Sequence, residues 1–143
     1  MTSEHALEAH DDGLIPLAIE HRKHAYCPYS RYAVGAAVGT EDGWMFGGSN
    51  VENASYGLSM CAERAAIFAM VSEGARRISE IAVATADGGP PCGACLQVMR
   101  EFTDDPATLD IYLVNEAGDV TQTTLAALLP SGFTANFRDS VDA

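Results

Sequence analysis

The chain has 143 residues, of which 48% are hydrophobic, and its formal net charge is -12 with only eight Lys and Arg residues. This length and hydrophobic content predict one domain, residues 1–143. Nucleic acid is disfavoured as a partner, because phosphate backbones are bound through many cationic side chains. No apolar run approaches the roughly 18 residues that span a bilayer. We therefore expect a cytoplasmic protein with no membrane partner.

The first half of the chain predicts one helix, a hairpin and a loop. A helix is expected over residues 14–25, because Pro28 pushes the residue before it out of the helical region. Residues 32–38 and 44–48 predict two strands that flank a turn containing glycine. The polar, glycine-containing stretch 50–60 is typical of a binding loop.

The second half alternates helices and strands. A helix is predicted from Cys61 to Gly74, a buried strand over residues 81–85 and another helix over 92–102. Two more strands and a short helix follow, over residues 109–114, 120–124 and 125–129. The order α-β-β-α-β-α-β-β-α predicts an α/β fold, a three-layer α/β/α arrangement with a five-stranded mixed sheet.

Three cysteines and one glutamate form the chemically most informative pattern. Cys61, Cys92 and Cys95 offer three thiolates, and a catalytic zinc site keeps its fourth position open for water or substrate. Glu63 follows Cys61 by two residues, which is the spacing of the carboxylate that shuttles protons in zinc deaminases. Both cysteine segments open predicted helices, whose N-termini favour the thiolate form. Arg64 either offsets the negative charge of three thiolates or is an ordinary surface residue.

These cysteines also allow other interpretations. The Cys-x-x-Cys segment at Cys92 could be a redox pair, and a lone cysteine such as Cys61 could be a core residue. Two prolines precede Cys92 and a separate helix opens with Cys-x-Glu, and this joint pattern favours zinc. Cys27 has no partner spacing and is interpreted as a structural thiol.

The chain resembles the short, homotetrameric cytidine deaminases over about residues 14–133. The stretches that carry the resemblance are YCPYSRYAVGAA at 26–37, NVENASY at 50–56, CAER at 61–64, PCGAC at 91–95 and LLP at 128–130. The resemblance implies zinc-dependent hydrolytic deamination of cytidine and 2′-deoxycytidine to uridine and deoxyuridine, with release of ammonia, in pyrimidine salvage. It also implies one Zn²⁺ per chain and a homotetramer with active sites at the subunit interfaces.

The resemblance further implies roles for individual residues. Cys61, Cys92 and Cys95 would hold zinc, and Glu63 would shuttle protons. Asn50 and Glu52 would bind the sugar hydroxyls, and their i, i+2 spacing in an extended loop places both side chains on one side. The remaining substrate contacts implied are the ring of Tyr32 where the family usually has Phe, the backbone N–H of Ala62, the carbonyl of Pro90, and Phe133 reaching another protomer's pocket.

Two alternative functions remain open from the sequence. One is a deaminase of another amino-heterocycle, such as blasticidin S, which shares the Cys-x-Glu and Pro-Cys-x-x-Cys segments. The other is a non-catalytic, zinc-stabilised homologue. The pair Asn50 and Glu52 favours a nucleoside over the first alternative, and the intact Glu63 favours a catalyst over the second.

Overall fold

The computed structural model describes residues 6–8 and 11–135, and a mixed β-sheet is its central element. The strands of the described residues are β1 Ala6–Glu8, β2 Gly35–Gly39, β3 Trp44–Ser49, β4 Glu80–Ala84, β5 Asp110–Val114 and β6 Val120–Thr124. They lie in the order β1-β3-β2-β4-β5-β6. Only β4 and β5 are parallel neighbours within this sheet, because a helix crosses over between them, whereas the other pairs are antiparallel.

Helices cover both faces of the sheet. They are α1 Asp11–Arg22, α2 Ala62–Ser72, α3 Gly93–Glu101 and α4 Leu125–Leu128, with a 3₁₀ turn at Tyr56–Leu58. None of the helices within residues 6–8 and 11–135 has the length and apolar character required to cross a bilayer.

Alternating side chains on the strands build a separate core on each face. Along β2, Ala36 and Val38 pack with α2 and α3, whereas Ala37 between them packs with α1. This is the two-residue period of a strand that is covered on both faces. The chain therefore forms the predicted three layers, and α2 and α3 share one of the outer layers.

The predicted α/β/α fold is confirmed, and the five predicted strands correspond to β2 to β6. A sixth strand, β1, pairs with β3 at the edge of the sheet, and three residues are too few to show a periodic pattern. Helix α1 ends at Arg22, three residues earlier than predicted. The chain from Lys23 to Ala25 instead makes i to i−3 backbone hydrogen bonds, which tighten the last turn.

Gly48 lets α2 lie close against β3. A Cβ atom at Gly48 would lie 2.5 Å from the backbone nitrogen of Ala66 and 2.6 Å from the carbonyl oxygen of Ala62, both in α2. Real Cβ atoms do not approach so closely, so a larger residue would displace the helix that carries Glu63.

The Gly48→Ala variant is therefore expected to lose about 1–3 kcal/mol of unfolding free energy, the usual cost of overpacking a core. Urea denaturation measures this loss. Gly57→Ala is the matched control, because no heavy atom outside its own local segment lies within 4 Å of the Cβ that it would add. Equal stability of the two variants would contradict the proposed role of Gly48.

Candidate active site

The N-termini of two neighbouring helices bring three cysteines together. Cys61 is the N-cap of α2, Cys92 is the N-cap of α3, and Cys95 lies buried in the first turn of α3. The Sγ atoms of Cys61 and Cys92 are 3.9 Å apart, and those of Cys92 and Cys95 are 3.5 Å apart. Neither N-cap thiol makes a side-chain capping hydrogen bond. Cys27 lies outside this cluster and is a free, half-buried thiol.

The geometry of the three sulfurs fits a zinc ion. All three Sγ atoms lie within 4.8 Å of one another. Sulfurs bound at about 2.3 Å around a tetrahedral zinc are about 3.8 Å apart, close to both measured separations. Three protein ligands leave one position of the tetrahedron open, which is the arrangement of a catalytic site.

Ionisation of all three thiols requires a cation. The pKa of Cys61 is lowered to about 5, first by a hydrogen bond from Cys95 and then by the hydrogen bond and positive charge of the Arg64 guanidinium. The pKa of Cys95 is raised, because that thiol donates to Cys61 and is buried. Three ionised sulfurs at this distance would repel one another, and a divalent cation removes that repulsion.

Arg64 contacts the cluster directly. Its Nη2 atom donates to the Sγ of Cys61 at 3.2 Å. Among the side chains that the structure describes, the Nε of Arg64 is the buried polar atom without a hydrogen-bond partner. Burying a donor without a partner costs free energy, whereas the guanidinium of a surface arginine is hydrogen-bonded to water. Arg64 is therefore not an ordinary surface residue.

Glu63 is a buried carboxyl group beside the sulfurs. Glu63 is only 5% exposed. Burial, and then the negative charge of Cys61, raise the pKa of Glu63 to about 7. A carboxyl group with this pKa can both accept and release a proton near neutral pH.

A cavity of about 320 Å³ connects these groups to the surface. Cys61, Glu63 and Cys92 line it together with residues at the two ends of the polar loop 50–60. The sequence-predicted residues that also line it are Tyr32, Asn50, Glu52, Ala62 and Pro90. The cavity lies within the size range of small-molecule sites.

Asn50 and Glu52 both face this cavity, and each also organises the loop before β2. The amide of Asn50 accepts from the N–H of Val34 at 2.9 Å and donates to the carbonyl of Tyr32 at 2.8 Å. Glu52 accepts from the N–H of Tyr29 at 2.9 Å and from both the N–H and the hydroxyl of Ser30. One amide N–H of Asn50 and part of the acceptor capacity of Glu52 remain for a ligand.

The sequence is similar to that of a known protein family. The sequence model of the cytidine and deoxycytidylate deaminase zinc-binding region matches residues 9–108. The chain belongs to the cytidine and deoxycytidylate deaminase family. The cytidine deaminase of Halalkalibacterium halodurans is 52% identical over 124 residues, which cover 85% of this chain and 92% of that protein.

Solved structures of cytidine deaminases agree with this membership. The enzyme from Burkholderia pseudomallei has 47% identity and a TM-score of 0.80, with 87% of this chain and 100% of that chain covered. The enzyme from Mycobacterium tuberculosis has 38% identity and a TM-score of 0.75, with 89% and 100% covered. The family is zinc-binding, in agreement with the cysteine cluster.

Phe133 lies outside the cavity. It is 75% exposed and is absent from the cavity lining. The side-chain amide of Gln97 in α3 makes two hydrogen bonds to the backbone of Phe133. It donates to the carbonyl at 2.8 Å and accepts from the N–H at 3.1 Å. Within one chain Phe133 therefore does not contact the site.

Several residues at the cavity of the deaminase were not anticipated individually from the sequence. Ser30, Thr85 and Gly89 line the cavity, and Asp87 accepts a hydrogen bond from the hydroxyl of Tyr32 at 2.7 Å. Ser30 lies within residues 26–37, which carry the family resemblance, so the sequence did contain a signal that could have identified it. Asp87 and Tyr32 are far apart in sequence, so only the fold brings them together.

Proposed function

We propose that the protein is a zinc-dependent cytidine deaminase that hydrolyses cytidine and 2′-deoxycytidine to uridine and deoxyuridine with release of ammonia. One observation carries the proposal. A buried carboxyl group, Glu63, lines the same cavity as Cys61 and Cys92, two members of a three-sulfur cluster that leaves one tetrahedral position open. A purely structural zinc site has no use for that carboxyl group. The relatives of high identity are named cytidine deaminases, which further supports the proposal.

Cys61, Cys92 and Cys95 would hold the zinc ion. When bound there, zinc supplies the Lewis acidity that makes a water molecule acidic enough to act as a nucleophile near neutral pH. Glu63 would accept the proton of that water and deliver it to N3 of the pyrimidine, which makes C4 more electrophilic. The water oxygen would add to C4, Glu63 would carry that oxygen's remaining proton to the amino group, and the C4–N bond would break to release ammonia and leave the C4 carbonyl.

Backbone groups and the aromatic ring would orient the base. Ala62 is the first residue of α2, so its N–H has no partner within the helix and is available to the pyrimidine carbonyl. The backbone carbonyl of Pro90 would accept a hydrogen bond from the amino group of the base. Proline can fill this role because it lacks the backbone N–H but keeps the carbonyl. The ring of Tyr32 would pack on the pyrimidine. All three residues line the cavity.

Asn50 and Glu52 would bind the sugar hydroxyls. Their hydrogen bonds to the loop before β2 hold both side chains in place, so little side-chain entropy would be lost when the sugar binds. Arg64 would offset the charge of the three thiolates. Its hydrogen bond to the sulfur of Cys61 supports this role over that of a surface residue.

We further propose a homotetramer that functions in cytoplasmic pyrimidine salvage. Thiolate ligation suits a reducing compartment. Phe133 would close the pocket of another protomer, which agrees with its exposure and its fixed backbone. The exposed apolar side chains beside the cavity support a subunit interface there, namely Tyr29, Val51, Tyr56 and Leu58.

The proposal predicts which substrate is consumed. The zinc-loaded protein should deaminate cytidine and 2′-deoxycytidine, seen as a loss of ultraviolet absorbance, and a chelator should stop the reaction. Blasticidin S is the comparison substrate, and it should remain unchanged. Turnover of blasticidin S alone would identify the sister activity. One zinc per chain with no hydrolysis of either compound would identify a non-catalytic homologue.

A further inference from the structure

The side chain of Tyr32 bridges two loops at the exposed edge of the cavity. Tyr32 lies in the loop before β2, and its hydroxyl donates to Oδ1 of Asp87 at 2.7 Å. Asp87 lies in the loop after β4, which also carries Gly89 and Pro90 into the cavity lining. The bridge therefore joins the proposed base-stacking ring to the loop that supplies a proposed substrate-binding carbonyl.

The Tyr32 end of the bridge is fixed through its backbone. The N–H of Tyr32 donates to the hydroxyl of Ser30 at 3.0 Å, and its carbonyl accepts from the amide of Asn50 at 2.8 Å. Arg31, which lies between Ser30 and Tyr32, has a φ of 61°, a left-handed conformation that a bulky residue rarely adopts. Such strain persists where the surroundings over-determine the backbone, and here it sets the direction in which Tyr32 leaves the chain.

The Asp87 end is a convergent acceptor. Oδ1 of Asp87 also accepts from the N–H of Gly89 at 3.1 Å and from the hydroxyl of Thr85 at 3.3 Å. A Cβ atom on Gly89 would lie 3.1 Å from the Tyr32 hydroxyl and 3.2 Å from Oδ1 of Asp87. The bridge thus occupies the space that a side chain at position 89 would need. The hydrogen bond from Tyr32 lowers the pKa of Asp87, so the acceptor is a carboxylate at neutral pH.

We propose that Asp87 is a positioning residue that acts through Tyr32. Its carboxylate holds the ring in the orientation that stacks on the substrate's pyrimidine and ties the ring to the loop of Pro90. The inference rests on the proposed function, because it assigns an orienting partner to the base-binding ring. A ring held before the substrate arrives loses less freedom on binding, which improves affinity without any new contact.

The test is a double-mutant cycle on the zinc-loaded enzyme with cytidine as substrate. Tyr32→Phe and Asp87→Ala should each raise KM about threefold to tenfold, the affinity cost of ordering one side chain on binding. The kcat should stay within about twofold, because the ring contacts substrate and transition state alike. The double variant should be no worse than Asp87→Ala within about twofold, since both changes remove the same bond. Asp87→Asn keeps an acceptor oxygen, so its KM should remain within about twofold of the unmodified enzyme.

Several results would overturn the inference while leaving the proposed function intact. They are a KM increase of less than about threefold in Tyr32→Phe, effects that multiply in the double variant, and a lower melting temperature with unchanged KM. The last result would assign the bridge a purely structural role. An unmodified enzyme that does not deaminate cytidine would instead overturn the proposed function, and this inference with it.

Discussion

Replacing Glu63 with Gln should abolish nearly all turnover while leaving zinc bound. General acid–base catalysis by one side chain contributes about 10²–10⁴-fold to a rate. Glu63 would serve in two successive proton transfers, so we expect the upper part of that range as the loss in kcat for cytidine. Gln has the shape of Glu but cannot take up and release a proton. Steady-state kinetics and metal analysis of the same preparation measure the two effects.

Glu73→Gln is the matched control for this variant. Glu73 is the C-cap of the same helix and is exposed, so the same chemical change occurs far from the cluster. It should preserve kcat, zinc content and melting temperature. If Glu63→Gln kept more than about a tenth of the kcat with zinc in place, the loss would fall short of what a general acid–base contributes, and another group would be the proton shuttle.

The sequence predicted the parts of the site that depend on local structure. Cys61 and Cys92 each precede a helical pattern, and the three-residue spacing of Cys92 and Cys95 puts both sulfurs near the first turn of α3. Burial of Cys95 follows from its place on the helix face of Leu96 and Met99, which packs into the core. These features depend only on residues that are close in sequence.

Contacts between distant segments were beyond prediction. Tyr32 and Asp87 are 55 positions apart, and both lie in loops, which have no periodic pattern to fix where a side chain points. The spacing of Asn50 and Glu52 suggested two side chains aimed at a sugar, but it gave no sign that both also hold the loop before β2. Strand β2 begins at Gly35, later than expected, because the N–H of Val34 bonds to the Asn50 side chain.

The second large effect is expected at Cys95. A Cys95→Ser variant removes a ligand that is fully buried and lies within 4.8 Å of the other two sulfurs. Changing an outer partner of a metal ligand costs about 10–100-fold in metal affinity, so loss of the ligand itself should exceed that. Zinc per chain should fall toward zero on dialysis and deamination should fall with it. The melting temperature should drop, because metal binding contributes to folding.

Cys27→Ser provides the matched control, because Cys27 is a free thiol outside the cluster. This variant should retain one zinc per chain and full activity, and a chelator should lower its melting temperature as it does for the unmodified protein. The same chelator should leave the melting temperature of Cys95→Ser unchanged, since that variant has no zinc to lose. Retention of one zinc per chain by Cys95→Ser would show that the three sulfurs are not the metal site, and the assignment of Glu63 as the proton shuttle beside it would fail as well.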